Sequence, residues 1–549
     1  MNLTKRLCVI SGLLVIAMTC SCDNHTRSNF STGNAEPEKL ESGLVIDLNK
    51  VTGAIDGLCY GVNDPLIPEA PFRRIGGNRL TGYNWEINAS SAGNDYKHIS
   101  DRWLNTHVGL EETDSRPAAW ILKNVELHKA ENADSMVTLP LAGYVVADGN
   151  GTAVGSRQAA PSPRWVKVET TKPGGNFGAP DLKDGKSFID EEVAWLVSKF
   201  GSASAGGVKY YCLDNEPSLW SETHARIHPK KTTYKEVADK SIATAKAVLS
   251  VDPDAKIVGA ALYGWFGHAA LQNAPDKNAF NKTHGNFSAY YLSRMAKASE
   301  QHGRRLLHIF DFHWYPEATA GGKRISLGDG KDLVNPEVVE ARIQAPRSLW
   351  DPTYVEESWI TDQIGNQPIQ LIPRMQKIIA ENYPETRFGI FEYSYGGGHH
   401  ISGGLATADV LGIFGRYHVA SGQWTMRQDI LFEKAAFRLY LNYDGQGSRF
   451  EENALEVPSI AAQYESIYAA CSQDKKTVTV ILINKQTDKN LEKQFRFKDI
   501  VDEPVVRGFR FGPSQHQLEQ VSDGLSSVKG GFSVNCPPHT ATLVELKFE

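Results

Sequence analysis

The 549-residue sequence has few cysteines, no excess of basic charge and no long hydrophobic run after its first residues. Lys and Arg total 58 against 64 Asp and Glu, a formal charge of −6, which argues against a nucleic-acid-binding protein that relies on a basic surface. Beyond the N-terminus no segment approaches about eighteen uncharged apolar residues, so no transmembrane helix is predicted there. The HExxH and GxSxG motifs are also missing, so a zinc protease or serine hydrolase of the usual type is not indicated.

The sequence has few cysteines, and they are not spaced in pairs along the chain. Of the seven cysteines, three lie in the N-terminal region, and the others are Cys59, Cys212, Cys471 and Cys536. Without a CxxC spacing, a zinc ribbon is not expected. Cys212 lies in an apolar run and is predicted to be a buried packing residue. A disulfide among the other three is left open.

The first residues are typical of a bacterial lipoprotein signal. Lys5 and Arg6 precede an apolar run, Leu7–Thr19, that is too short to span a bilayer comfortably. We expect residues 1–21 to be the signal peptide and Cys22 the lipidated residue, followed by a flexible polar tether over 22–42. The location expected is the cell envelope, at the outer membrane, facing the periplasm or the outside. A simple secretory signal cleaved nearby is the alternative.

From about Leu58 short apolar runs alternate with amphipathic helices, a pattern typical of repeated βα units. The predicted strands are Leu58–Val62, Arg73–Gly76, Met136–Leu141, Val208–Leu213, Ile257–Ala261, Leu306–His313, Arg387–Glu392 and Gly422–Arg427. Helices are predicted over Ser187–Phe200, from a capping box at Thr233 to Leu249, and over Phe287–His302, Leu371–Asn382 and Leu405–Val419. Eight parallel strands with helical crossovers predict an α/β fold, a (β/α)8 TIM barrel over residues 57–450.

After about Glu451 the pattern changes to strands broken by Gly, Pro, Asn and Asp. Strands are predicted over Thr477–Asn484, Val505–Phe511, Phe532–Asn535 and Ala541–Phe548. These residues predict an antiparallel β-sandwich domain over 451–549. A strand within 43–56, before the barrel, is expected to join it.

Two glutamates follow or end predicted barrel strands. Asp214-Asn215-Glu216-Pro217 comes directly after the fourth strand, and Glu392 ends the seventh. Because side chains at the carboxyl ends of barrel strands converge on one mouth, Glu216 and Glu392 are expected to lie close together. Paired carboxyl groups are what glycosidic bond cleavage requires, one to protonate the leaving oxygen and one to attack the sugar or activate water.

Several segments around these residues carry a resemblance to a known family. They are Arg73–Arg79 with Tyr83–Glu86, Asp214–Pro217, Ala345–Val355, Glu392–Gly398 and Ile401–Gly412. From about Leu58 to Arg427 the sequence resembles glycoside hydrolase family 44, retaining endo-β-1,4-glucanases built on the eight-fold barrel. The C-terminal sandwich resembles the family in architecture alone.

The resemblance implies a role for each matching residue. Glu216 would be the general acid/base and Glu392 the nucleophile, and no cofactor would be required. The candidate substrate-binding residues are Asn215, Tyr315, Trp424, Trp85, Asn78 and His313. For each aromatic side chain among them, a place in the core is an equal alternative. The family also allows a structural calcium ion, for which the sequence assigns no ligands.

The expected substrate is a β-1,4-glucan, such as a cellulose-type chain, a soluble β-glucan or xyloglucan. Two alternatives stay open. One is a mannanase or xylanase that uses the same carboxyl pair. The other is a glycan-binding surface lipoprotein without catalysis.

Overall fold

The computed structural model describes residues 43–63, 65–326, 334–424, 430–458 and 460–548. The strands are β1 (Leu44–Ile46), β2 (Val51–Ala54), β3 (Phe72–Ile75), β4 (Ser90–Ser91), β5 (Ile99–Asp101), β6 (Asp134–Leu139), β7 (Tyr144–Val146), β8 (Thr152–Ala153), β9 (Trp165–Glu169), β10 (Lys186–Phe188), β11 (Tyr210–Leu213), β12 (Lys256–Tyr263), β13 (Ile309–Trp314), β14 (Thr319–Ala320), β15 (Lys323–Arg324), β16 (Arg387–Tyr393), β17 (Ala420–Gln423), β18 (Asn453–Leu455), β19 (Glu465–Cys471), β20 (Thr477–Asn484), β21 (Leu491–Phe497), β22 (Val505–Gly512), β23 (Gln515–Val521), β24 (Leu525–Val528), β25 (Gly531–Cys536) and β26 (Thr540–Lys547). The α-helices are α1 (Asn78–Thr81), α2 (Ala119–Ala130), α3 (Ile189–Phe200), α4 (Trp220–Thr223), α5 (Tyr234–Val251), α6 (Gly264–Ala270), α7 (Lys277–His284), α8 (Phe287–His302), α9 (Pro336–Gln344), α10 (Trp359–Gln363), α11 (Leu371–Asn382), α12 (Ile401–Tyr417) and α13 (Leu431–Leu441).

Seven parallel strands form the barrel, in the order β17-β16-β13-β12-β11-β6-β3. The ring closes through a single residue, Val62, which bridges Arg73 of β3 on one side and Gln423 of β17 on the other. The predicted TIM barrel with a second, antiparallel domain is therefore confirmed.

The predicted first strand, Leu58–Val62, is wrong apart from that bridge. Residues Gly57–Tyr60 instead form a 3-10 helix, because the Asp56 side chain accepts a hydrogen bond from the Leu58 backbone N–H and caps it. Gly61 then passes so close to β17 that a Cβ atom would lie 2.2 Å from the Ser421 carbonyl oxygen. Close backbone approach thus replaces a regular strand pairing at this point.

Several helix predictions agree closely with the structure. Helices α8 and α11 have the predicted bounds, and α5 begins after Thr233, whose side chain accepts from the Glu236 backbone N–H. Helix α12 begins earlier than predicted, since His400 caps it by accepting from the Ser402 backbone N–H. The predicted eighth strand is seen as β17, and residues 425–429 of that prediction lie outside the described residues.

Two sheets pack against each other in the second domain. One has the order β2-β18-β19-β20-β26-β22-β23 and the other β1-β21-β25-β24. The N-terminal strand β1 pairs in parallel with β21, so that Leu44 lies opposite Phe495. Phe495 of β21 and Phe532 of β25 lie opposite each other on neighbouring strands of the second sheet, and their rings stack with centroids 4.6 Å apart. The sequence missed β18, β19, β21, β23 and β24, of which β18 and β24 are short, with three and four residues.

A buried ion pair joins the barrel to the sandwich. Asp409 of α12 lies 2.8 Å from Lys485 Nζ, and both side chains are at least 98% buried. Tyr468 of β19 donates its hydroxyl to the other Asp409 oxygen at 2.5 Å. These contacts satisfy charges that burial would otherwise penalise heavily.

The cysteines that the structure describes are free and buried thiols, namely Cys59, Cys212, Cys471 and Cys536. Cys212 packs in the barrel interior with Met136 and Val258, as predicted. The predicted signal, the tether and Cys22 lie outside the described residues. Within the part of the chain that the structure describes, no helix has both the length and the apolar character needed to cross a bilayer.

Candidate active site

Glu216 and Glu392 face each other at the mouth of the barrel. Glu216 follows the end of β11, and Glu392 lies near the end of β16, three strands away around the ring. The side chain of each is 9% exposed. A carboxylate oxygen of each residue and a ring nitrogen of His313 all lie within 4.8 Å of one another. Carboxyl groups this close match the separation of about 5–5.5 Å typical of retaining glycosidases, not the 6.5–9.5 Å of inverting ones.

The backbone at the end of β11 is turned so that Glu216 points inward. Asp214 and Glu216 both have left-handed backbone angles, with φ of 66° and 43°. The buried Asp214 carboxylate accepts hydrogen bonds from Thr81 Oγ1 and from the backbone N–H groups of Leu141 and Ala142. Left-handed conformations are costly for residues other than glycine and persist where surrounding contacts hold them, often at functional sites.

His313 of β13 lies between the two carboxylates and is completely buried. Its Nδ1 atom is 2.9 Å from Glu216 Oε1 and 3.5 Å from Glu392 Oε2, and its Nε2 atom is 3.7 Å from Asp311 Oδ2. Burial acts to lower the pKa of His313, but the surrounding charges of Glu392, Asp311 and Glu216 outweigh it and raise that pKa to about 10. At neutral pH the ring is therefore a cation that donates to Glu216.

Arg74 and Tyr315 hold Glu392 in place. Arg74 Nη1 donates to Glu392 Oε1 at 2.6 Å, and the Tyr315 hydroxyl donates to Glu392 Oε2 at 3.0 Å. The other terminal nitrogen of Arg74 donates to Asn215 Oδ1 at 2.6 Å, which links both strand ends. Arg74 lies in one of the segments that resemble the family, but no role for it was predicted; the available signal was an arginine near the end of a barrel strand, followed by Ile75 and two glycines.

The two glutamates have opposite pKa shifts. Burial raises the pKa of Glu216, and the negative charge of Glu392 adds to that rise, against the opposing effect of His313. Burial also acts to raise the pKa of Glu392, but the positive charges of His313 and Arg74, and the hydrogen bonds that Arg74 and Tyr315 donate to it, hold that pKa below its usual value. The site thus stabilises a protonated Glu216 beside an ionised Glu392.

Three further predicted residues lie along the rim. Asn215 Nδ2 donates to Asn78 Oδ1 at 2.9 Å, and Asn78 Nδ2 donates to Asp95 Oδ2 at 2.9 Å. Trp424 directly follows β17 and is 37% exposed, with its ring beside Gly77, where a Cβ atom would lie 3.2 Å from it. The rim therefore brings an amide and an exposed indole next to the carboxyl pair.

Two of the predicted substrate-binding side chains are buried in the structure. Trp85 is 1% exposed and packs in the core with its ring 6.1 Å from that of Trp195, so it has no surface on which a sugar could stack. His313 has no exposed surface either, and its ring nitrogens face carboxylates instead of the cleft. A pattern in the sequence cannot separate an exposed aromatic or histidine from one that a loop folds into the core.

Among the described residues, Glu216, His313 and Glu392 form the one set of three His, Cys, Asp or Glu side chains whose ligand atoms lie within 4.8 Å of one another. The cation His313 and the guanidinium of Arg74 already supply positive charge to both carboxylates. This donor set therefore suits acid–base chemistry better than metal binding.

Comparisons with known proteins agree on one family. The model of glycoside hydrolase family 44 matches residues 89–318. Endoglucanase A of Paenibacillus lautus is 41% identical over 549 residues, which cover 99% of this chain and 77% of that protein. The β-mannanase/endoglucanase A of Caldicellulosiruptor saccharolyticus is 42% identical over 466 residues, or 82% of this chain and 34% of that longer protein.

A solved structure extends the likeness to the fold. It is that of a family 44 xyloglucanase from Paenibacillus polymyxa with xyloglucan, with a TM-score of 0.87 and 38% identity. The alignment covers 92% of this chain and 99% of that one, so both domains have a counterpart there.

Proposed function

The chain belongs to glycoside hydrolase family 44, and on that premise we propose that it is a retaining endo-β-1,4-glucanase that acts on soluble β-glucan or xyloglucan. The observation that carries the proposal is the carboxyl pair of Glu216 and Glu392, whose carboxylate oxygens approach within 4.8 Å across the barrel mouth. Such proximity leaves room for attack by a carboxylate but not for a water molecule between the second carboxylate and the sugar.

The first step uses the opposite protonation of the two glutamates. Glu216 donates its proton to the glycosidic oxygen as that bond breaks, and Glu392 attacks the anomeric carbon to form a glycosyl ester. Asn215, beside Glu216, would hold a hydroxyl of the reacting sugar, and Trp424 would lie under that sugar. Arg74 and Tyr315 keep the attacking carboxylate ionised and aimed, since both donate to its oxygens.

The second step follows from the loss of charge on Glu392. Once Glu392 is an ester, its negative charge no longer raises the pKa of Glu216, while His313 still lowers it. Glu216 can then accept a proton from water, which attacks the ester and releases the sugar with retained configuration. The charged His313 acts in both steps as a positioning residue, because its Nδ1–H donates to Glu216.

The substrate is inferred from the relatives. Their names describe an endoglucanase, a β-mannanase/endoglucanase and a xyloglucanase. A glucan main chain is common to all three names, whereas mannan is indicated by one and xylan by none, and we therefore prefer a β-1,4-glucan. The presence of both carboxylates, each with its hydrogen-bonding partners, argues against a glycan-binding protein that has lost catalysis.

The decisive experiment is product analysis by proton NMR during hydrolysis of unsubstituted β-glucan and of xyloglucan. We expect the β-anomer to appear first in the newly formed reducing ends. The Glu392→Gln variant should lose at least about 10³-fold in kcat while still binding oligosaccharides, because the amide cannot form the ester. Initial release of the α-anomer, or full activity in that variant, would refute the proposed roles.

A structural calcium ion remains a proposal from family membership. The candidate ligands are the carboxylates of Glu86 and Glu191, which are 3% and 1% exposed and each have one oxygen without a hydrogen-bond partner among the described residues, while the other oxygen of Glu191 pairs with Lys172. Burial, and then the charges of Asp184 and Glu191, raise the pKa of Glu86 to about 8. Carboxylate oxygens are the ligands that calcium prefers, and a lower melting temperature in a chelator would support the site.

Attachment to the cell envelope also remains a proposal. It is supported by Lys5 and Arg6 before the short apolar run Leu7–Thr19, and by Cys22 after it. We propose that Cys22 carries a lipid that holds the enzyme at the outer membrane. Incorporation of a labelled fatty acid should be lost in Cys22→Ser and kept in Cys20→Ser; the reverse pattern would move the lipid to Cys20.

A further inference from the structure

An exposed tryptophan lies on the rim of the barrel mouth, outside the site described so far. Trp103 is 44% exposed and begins the 3-10 helix Trp103–Val108, which follows β5. A large indole that stays exposed in a folded chain is a common feature of binding surfaces, because it offers apolar area at little cost in conformational entropy. Sequence patterns did not single it out.

The ring of Trp103 is held firmly despite its exposure. The guanidinium of Arg79 lies over it, 4.8 Å from the ring centroid, and the His107 ring lies 4.1 Å from it at 74°. Arg79 is itself fixed by Asp101, with Nη1 2.6 Å from Oδ1, and by Ser90 Oγ at 3.0 Å. The Trp103 backbone N–H donates to the same Asp101 oxygen at 3.1 Å. Pre-ordering of this kind reduces the entropy lost when a ligand binds.

Arg79 also connects the ring to the catalytic residues. It follows Asn78 in α1, just beyond the carboxyl end of β3, and Asn78 accepts a hydrogen bond from Asn215. Asn215 precedes Glu216 in the chain. Trp103 therefore lies on the mouth side of the barrel, separated from Glu216 by this line of polar side chains.

We propose that Trp103 is a sugar platform remote from the cleaved bond, which stacks on a pyranose ring of the β-glucan main chain. The inference rests on the proposed function. In β-linked glucose the hydroxyl groups are equatorial, so each face of the ring presents C–H groups that suit an indole. A platform at this distance selects for long chains and favours internal cleavage, since only a chain that passes well beyond the reacting sugar reaches it.

The test is isothermal titration of cello-oligosaccharides of increasing length into Glu392→Gln protein, with and without Trp103→Ala. We expect Trp103→Ala to weaken binding of the longest oligosaccharides by about threefold to tenfold, the worth of one aromatic stacking contact. Binding of the shortest should change by less than about twofold. Trp103→Phe should restore part of the loss, and Arg79→Gln, which frees the ring, should lose part of it.

Tyr464→Ala is the matched control, because Tyr464 is 49% exposed on the sandwich domain. It should leave binding at every length unchanged. Equal binding by Trp103→Ala and its parent at all lengths would overturn the platform, and so would an equal loss at all lengths, which indicates a supporting role for the fold. If the unmodified chain hydrolyses no β-glucan, the proposed function itself is refuted. If it does hydrolyse β-glucan, the titration tests only the role of Trp103.

Discussion

Arg74 Nη1 donates to Glu392 Oε1 at 2.6 Å, and both side chains are buried, 0% and 9% exposed. The pair joins the ends of β3 and β16, which are separated by β17 and the Val62 bridge in the ring. The ion pair therefore helps to close the barrel and also stabilises the negative charge of the proposed nucleophile.

Removal of Arg74 should cost both stability and activity. In Arg74→Met the buried Glu392 loses its partner, and a broken buried pair typically costs about 3–5 kcal/mol. We expect a clearly lower melting temperature and a loss of kcat. In Arg74→Met/Glu392→Gln the stability should largely return, since the buried carboxylate is removed together with the guanidinium, while activity stays absent. Unchanged stability in the single variant would contradict this account.

The assignment of Glu216 as acid/base predicts a dependence on the leaving group. Glu216→Gln should lower kcat/KM on β-glucan by about 10²–10⁴-fold, the usual contribution of general acid–base catalysis. An aryl cellobioside with an acidic phenol needs no protonation, so its first step should be nearly unaffected. Added azide should restore turnover of that substrate by replacing the activated water. Equal losses on both substrates would assign Glu216 another role.

Tyr315 should control the acidic limb of the pH profile. Its hydroxyl donates to Glu392 and helps to hold the pKa of that carboxyl below its usual value. In Tyr315→Phe that stabilisation of the charged form is lost, so the pKa of Glu392 rises. The acidic limb of kcat/KM should move to higher pH by up to about one unit, and the basic limb, set by Glu216, should move little. A shift to lower pH would contradict the sign.

The ion pair between the domains should matter for stability and not for chemistry. Lys485→Met leaves the buried Asp409 uncompensated and should destabilise the chain by about 3–5 kcal/mol. Lys485→Met/Asp409→Leu should recover most of that. The control is Lys50→Met, since the Lys50–Glu456 pair is 60% and 56% exposed and should contribute little. Equal melting temperatures for the two single variants would refute the prediction.

Much of the fold followed from the pattern of residues along the chain. Helices α8 and α11 and strand β20 have the predicted bounds because each is a long, regularly periodic segment. The prediction failed at Leu58–Val62, where an Asp56 cap and the close approach of Gly61 to β17 override an apolar run. Such local apolar runs do not reveal whether the chain will meet a full strand partner.

The sequence by itself determined that Glu216 and Glu392 end barrel strands, because the βα repeat sends the carboxyl ends of all parallel strands to one mouth. Only the tertiary structure decided that Arg74 and His313 contact them, that Trp85 is buried and that Trp103 is exposed. The reason is physical: periodicity places a residue on a strand or at its end, whereas burial and partners depend on loops that approach from distant parts of the chain.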